Sequence, residues 1–215
     1  MQNTKILEMI NRGQIEELKA LIQDEIFMDG LNNKSGAKQR YAAMKKYFSY
    51  IKGNVNKACK MPCVIDFKGD KYISFINGYS IALTTEMSGE LELFEDPEKY
   101  LNVENMITFD GKEKEIDFNK IIAEAKSKGY KLKRSEVETN CDFKYIFHYD
   151  NAYFKIGLLD ATYSIINDGS KTTVWHPGER KKYSPIIAKN NLGICLILPF
   201  NYDHRKQGVT VIEVA

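Results

Sequence analysis

Apolar residues recur at helical spacing through the first quarter of the chain. Residues 4–23 read as an amphipathic helix with Ile6, Leu7, Ile10, Leu18, Leu21 and Ile22 on or near one face, interrupted at Asn11, Arg12 and Gly13. Residues 29–36 are rich in turn formers, and Ser35 is placed to cap a helix. That second helix is predicted over 36–52, because Ala37, Tyr41, Met44, Phe48 and Ile51 fall on a single stripe.

The period then changes from helical to alternating. Strands are expected at 63–67, 71–76 and 79–85, with Lys68, Gly69 and Asp70 turning the first pair. Asn77-Gly78 predicts a tight hairpin in the second, since both turn positions of that type take positive φ. Further on, Asp117 is a cap for a helix over 118–128 that Gly129 stops. Strands at 143–149 and 152–155 flank Asp150-Asn151, a helix spans 156–166, and strands come next at 171–176, 184–189 and 194–200.

Helix followed by three strands thus occurs twice, at 37–85 and 156–200. A helix before an antiparallel meander must lay its stripe on the meander's apolar face. Two such units can join their sheets and present both helices on one side. The expected fold class is α+β: two helix-plus-antiparallel-meander units with an extra N-terminal helix. The expected segments are 1–30 (helical) and 31–215 (one domain, with units at about 36–100 and 117–205).

Charge changes the picture locally. The net charge of +2 selects no partner. Between Asp29 and Asp66, however, there is no acidic residue and eight Lys or Arg. Of these, Lys38, Arg40, Lys45, Lys46 and Lys52 fall on the polar faces of the second helix. One reading is a phosphate-facing surface for double-stranded DNA, binding without sequence preference. The other is a solvated face whose long side chains lie over the core. Tyr41, Tyr47 and Tyr50 are candidates for base stacking, although Tyr41 sits on the apolar stripe. Residues 86–117 reverse the sign, with eleven Asp or Glu against Lys99, Lys112 and Lys114. They read as a solvated connector, or as a surface complementary to the basic helix of another subunit in a homo-oligomer.

Candidate chemistry is sparse. No Gly-rich phosphate loop, nucleophile elbow or His-Glu-x-x-His pattern occurs, and Asp160 reads as a helix-surface residue. Cys59 and Cys63, with three residues between them, are a weak metal signal, Cys141 and Cys195 stand apart, and His148, His176 and His204 show no helical pairing, so neither metal nor cofactor is expected. A third function class would use strand 143–149 as a pocket wall, with His148 or Cys141 converging on a ligand. The N-terminus has no secretory pattern, and the apolar run at 194–200 is too short to cross a bilayer. Reduced thiols, a cytoplasmic location and no membrane partner are the expectation. At 215 residues the chain has room for a sizeable core, and its 13 tyrosines suit half-buried sheet faces and contact surfaces.

The stretch FKIGLLDATYSII at 154–166 resembles the segment of DNA polymerase sliding clamps in which a strand leads into a helix. SPII at 184–187 and LILPF at 196–200 resemble two later clamp strands, in the same order and with agreeing spacing. The resemblance implies a clamp-like fold and a non-catalytic, DNA-associated role as a processivity factor. It also implies replication proteins as partners, docking at Leu198, Pro199 and Phe200. The chain departs from the bacterial clamps in being shorter and in residues 1–30, which have no counterpart. It departs again in helix 156–166, which carries almost no positive charge. The alternative is a protein-interaction module that keeps the fold without binding DNA.

Overall fold

The computed structural model describes residues 9–14, 19, 36–50, 61–86, 91–96, 100–137, 143–177, 183–203 and 207–214. Expectations for most of helix 4–23, the loop before Gly36, Lys52, Cys59, Cys141 and His204 lie outside these residues. The chain divides into two compact units, Met1–Lys38 and Gln39–Ala215. In the first, helical backbone at residues 9–11 ends at Gly13 (φ 69°), whose N–H donates to Ile10 O at 3.0 Å.

The elements in chain order begin with α1 (Ala37–Tyr47), a 3-10 turn (Phe48–Tyr50), β1 (Cys63–Phe67), β2 (Asp70–Ile76), β3 (Ser80–Thr84) and β4 (Lys112–Ile116). Next come α2 (Phe118–Ser127), α3 (Arg134–Val137), β5 (Tyr145–Tyr149), β6 (Ala152–Lys155) and α4 (Ile156–Tyr163). Strands β7 (Thr172–His176), β8 (Ile186–Lys189), β9 (Gly193–Ile197) and β10 (Thr210–Glu213) complete the chain. The protein is a mixed helix and antiparallel-sheet fold. A seven-stranded sheet runs β1-β2-β3-β9-β8-β7-β4, antiparallel throughout, and β3 pairs with β9 at its centre. A smaller sheet runs β10-β5-β6, in which β10 lies parallel to β5.

Turn chemistry fixes the registers. Lys68 (φ 53°) and Gly69 (φ 89°) close β1 on β2, and Asp150 (φ 49°) and Asn151 (φ 62°) close β5 on β6. Positive φ at both central positions is the twist-matched hairpin turn. Asn77-Gly78 is built differently: only Gly78 (φ 83°) has positive φ, and β3 begins one residue later, at Ser80. There the Asn77 Oδ1 accepts from Tyr79 N (2.9 Å) and Ser80 N (2.7 Å), so the side chain shapes the turn. Helix α2 starts as its cap dictates, with Asp117 accepting from Lys120 N at 3.0 Å.

The outer face of the large sheet is apolar and has to be covered. Within 86–117, where a solvated connector is expected, the described residues Phe94 and 100–109 supply the cover. Tyr100, Val103 and Ile107 are buried against Leu83, Ile194 and Leu196, with Phe94 and Phe109 packed beside them. Tyr100 donates to Ser74 O at 3.1 Å. The segment ends in edge strand β4, exposed at Lys112, Glu113, Lys114 and Glu115. Alternating charges on an edge strand oppose unwanted strand pairing.

On the inner side, α4 is buried along its whole length. It packs on β3 and β9, and also against β5, β6, α2 and α3. Burial of Ile156, Leu158 and Leu159 contributes about 1.5–3 kcal/mol for each side chain. Gly157 permits this packing, since a Cβ there would lie 2.2 Å from Glu136 O. Asp160 is therefore no helix-surface residue: it is 5% exposed, with Lys126 Nζ at 3.9 Å and Ser164 donating at 3.3 Å.

Candidate nucleic-acid interface

Helix α1 carries the basic residues singled out in the sequence. Its buried positions are Ala37, Arg40, Tyr41, Met44 and Tyr47, while Lys38, Lys45 and Lys46 are exposed. Lys45 Nζ rests 4.4 Å from the centre of the Tyr41 ring, and both Lys45 and Lys46 stand in the last turn, where cations complement the helix dipole. No acidic residue lies on the helix.

Arg40 does not belong to this face, a correction to the sequence-based expectation. Its Nε and Nη2 donate to the two Glu86 carboxylate oxygens at 2.7 and 2.6 Å, and Nη1 donates to Asn167 O at 3.0 Å. Position 40 comes three after Ala37 and four before Met44, so it falls on the buried stripe. A buried guanidinium requires a carboxylate, and Glu86 supplies it. The tyrosines are also committed elsewhere. Tyr41 and Tyr47 are core residues, and the Tyr47 hydroxyl meets Ser80 Oγ at 3.2 Å. Tyr50 is half-buried, and burial, with the Asp160 carboxylate second, raises its pKa.

Leu198, Pro199 and Phe200 come directly after β9 and are half-buried. Leu198 N donates to Tyr79 O at 2.9 Å and its side chain packs on the outer core. Phe200 bridges to Tyr153, and its ring lies 4.8 Å from Phe143. Lys155 Nζ stands 4.3 Å from the Phe143 ring and 6.0 Å from that of Phe200.

One basic stretch is absent from the sequence-based candidates. Lys126, Lys128, Lys131, Lys133 and Arg134 occupy nine residues without an acid, a run visible in the sequence by counting alone. Lys126, Lys128, Lys131 and Lys133 are exposed, as is Lys120 earlier on α2.

The two described histidines are held by hydrogen bonds within the fold. His176 is buried, with Nδ1 3.0 Å from Asp150 Oδ2 and Nε2 3.2 Å from Ser184 O. It borders a cleft of about 290 Å³ shared with Lys112, Lys114, Tyr149 and Asp150. Both ring nitrogens face acceptors, so the imidazole ties the β5–β6 turn to β7. His148 meets Glu213 at 2.8 Å and stacks on Tyr153. Cys63 and Cys195 are free and buried, and burial pushes the Cys195 thiol up to about 12. Among the described residues no cluster of three His, Cys, Asp or Glu could hold a metal ion. No helix among them is long and apolar enough to cross a membrane.

No protein-family model matches the chain. A search of curated proteins finds no match. Among solved structures, a protein from Eubacterium rectale assigned as a DNA polymerase III beta subunit superimposes with a TM-score of 0.50 at 14% identity. The match covers 78% of this chain and 64% of that one, so this chain spans less than two thirds of its neighbour's length. The fold is clamp-like.

Proposed function

We propose that the protein is a non-catalytic, DNA-associated factor of the sliding-clamp type. The carrying observation is α1, which turns Lys45 and Lys46 to solvent and buries Tyr41, Met44 and Tyr47 beneath them. A rigid helix offering cations and no anions meets a phosphate backbone and carries no base code, so binding is independent of sequence. Lys38, also exposed, belongs to the same proposal. The clamp-like fold supports duplex DNA as the partner, with replication proteins docking at Leu198, Pro199 and Phe200. The test is a double charge reversal, Lys45→Glu with Lys46→Glu, which weakens binding equally on unrelated duplexes. Unchanged affinity sinks the reading.

A second reading, an interaction module that keeps the fold without DNA, is favoured by two observations. Arg40 is neutralised by Glu86, and α4 is buried along its whole length. Absence of duplex binding at low salt, together with capture of a replication protein that Phe200→Ala abolishes, selects this reading.

A further inference from the structure

We infer that α2 and the turn after it form a second phosphate-contacting surface, continuous with the end of α1. This inference rests on the DNA reading above and extends it to residues that reading does not use. Helix α4 has no outward face: α2, α3 and the small sheet lie over it. The surface presented on this side of the large sheet therefore belongs to the covering layer. That layer carries the charge α4 lacks. Lys120 and Lys126 are exposed on α2, Lys128 stands at its C-cap, and Lys131 and Lys133 are exposed in the turn leading to α3.

Residues 118–137 contain two acids, Glu124 and Glu136, and Asp117 before them caps α2 by accepting from Lys120 N. Glu124 is held by Lys128 at 2.8 Å. Glu136 is 1% exposed and accepts from Lys144 N at 3.1 Å. Asp160 is buried beneath Lys126. Glu124, Glu136 and Asp160 thus lie inside or are paired, Lys128 being taken up by Glu124, while Lys120, Lys126, Lys131 and Lys133 are exposed.

The junction with α1 is direct. Helix α3 packs against the 3-10 turn that ends α1, and Tyr50 of that turn and Tyr130 of the basic segment both feel the Asp160 carboxylate. Lys45 and Lys46 lie three and two residues before this turn, and Lys131 and Lys133 lie three residues and one residue before α3. Two lysine groups from distant parts of the chain therefore flank one packed joint. A duplex backbone, with regularly spaced phosphates, is the partner that engages both.

The test uses the full chain and three variants: Lys131→Glu with Lys133→Glu, Lys131→Gln with Lys133→Gln, and Lys45→Glu with Lys46→Glu. Binding to labelled duplex DNA is measured as salt increases, with the thermal midpoint confirming that each variant is folded. The inference expects both variants at 131 and 133 to weaken binding on every sequence alike. The salt slope is expected to fall by about 1 for each phosphate no longer engaged. If only the 45 and 46 variant loses affinity, this inference falls while the parent reading stands. If the unmodified protein binds no duplex at low salt, the parent reading falls as well. Loss of binding to phosphatidylserine vesicles with unchanged DNA affinity also overturns the inference, because the lysines then serve a membrane surface.

Discussion

Thr162 Oγ1 donates to Ser80 Oγ at 2.7 Å, a bond between a wholly buried helix and the first residue of the central strand β3. Ser80 Oγ donates its own proton to Asn77 Oδ1 at 3.1 Å and meets the Tyr47 hydroxyl at 3.2 Å. One serine hydroxyl thus lies within hydrogen-bond distance of three side chains, and the Tyr47 hydroxyl also donates to the Ser80 carbonyl at 3.4 Å. Through it α1, the β2–β3 turn and α4 are locked in one geometry. The helix that displays Lys45 and Lys46 is set by the same contact that seats α4.

Ser80→Ala is expected to cost about 1–3 kcal/mol, since it leaves the buried Thr162 hydroxyl without this acceptor and removes one bond each from Asn77 and Tyr47. Thr162→Val removes only one of these bonds and costs less. In a double-mutant cycle read by urea unfolding, the two losses are expected to be non-additive. Simple additivity would show that the two hydroxyls act independently.

Removing one partner of the Arg40–Glu86 pair leaves a buried charge. The pair is 3% and 12% exposed, and its breakage by Glu86→Gln or Arg40→Met is expected to cost about 3–5 kcal/mol. Lys45→Gln on the same helix is expected to shift stability by about 0.5 kcal/mol or less. Equal, small losses at the two positions would mean that the ion pair is not formed.

Gly193 opens β9 and pairs with Thr84 of β3. A Cβ at this position would stand 1.9 Å from Leu83 O and 2.8 Å from Ile166 Cγ2. Gly193→Ala therefore forces the central strand pair apart, at an expected cost of about 1–3 kcal/mol or more. A thermal midpoint equal to that of the unmodified protein would contradict this packing.

Stability is expected to fall on the alkaline side. Burial raises the Cys195 thiol from 9.0 to about 12 and raises Tyr130 and Tyr163 above 10.0. These groups are neutral when protonated, and the folded state holds their protons more tightly than the unfolded chain does. Their contribution is complete below about pH 9 and declines as pH rises through 9 and 10 toward the folded values. Urea midpoints from pH 7 upward should fall beyond about pH 9, and Cys195→Ala should soften the first part of that fall. A flat profile would contradict the burial.

The parts of the fold legible in the sequence are those with a period or a cap. Asp117 and Gly129 bound α2, and the strands joined by Lys68-Gly69 and Asp150-Asn151 pair antiparallel across those turns. Asn77-Gly78 marks a turn but not its type, because Asn77 Oδ1 competes for the backbone N–H groups of Tyr79 and Ser80. Arg40 is hidden for a different reason. Its position is on the buried stripe, but its charge argues for solvent until Glu86, 46 residues away, is brought to it. Tyr100, Val103 and Ile107 stand at helical spacing, yet they lie in turns and irregular backbone, so that spacing does not mark them as a covering segment. β4 and β10 are strands by virtue of their partners β7 and β5, not of any pattern of their own.

A phosphate-contacting surface on α1 is tested most directly by a salt titration of the unmodified protein on two duplexes of unrelated sequence. Binding is expected at low salt, with the logarithm of the association constant falling linearly against the logarithm of salt concentration and the same slope for both sequences. Affinity that is insensitive to salt, or no binding at the lowest salt, would contradict such a surface.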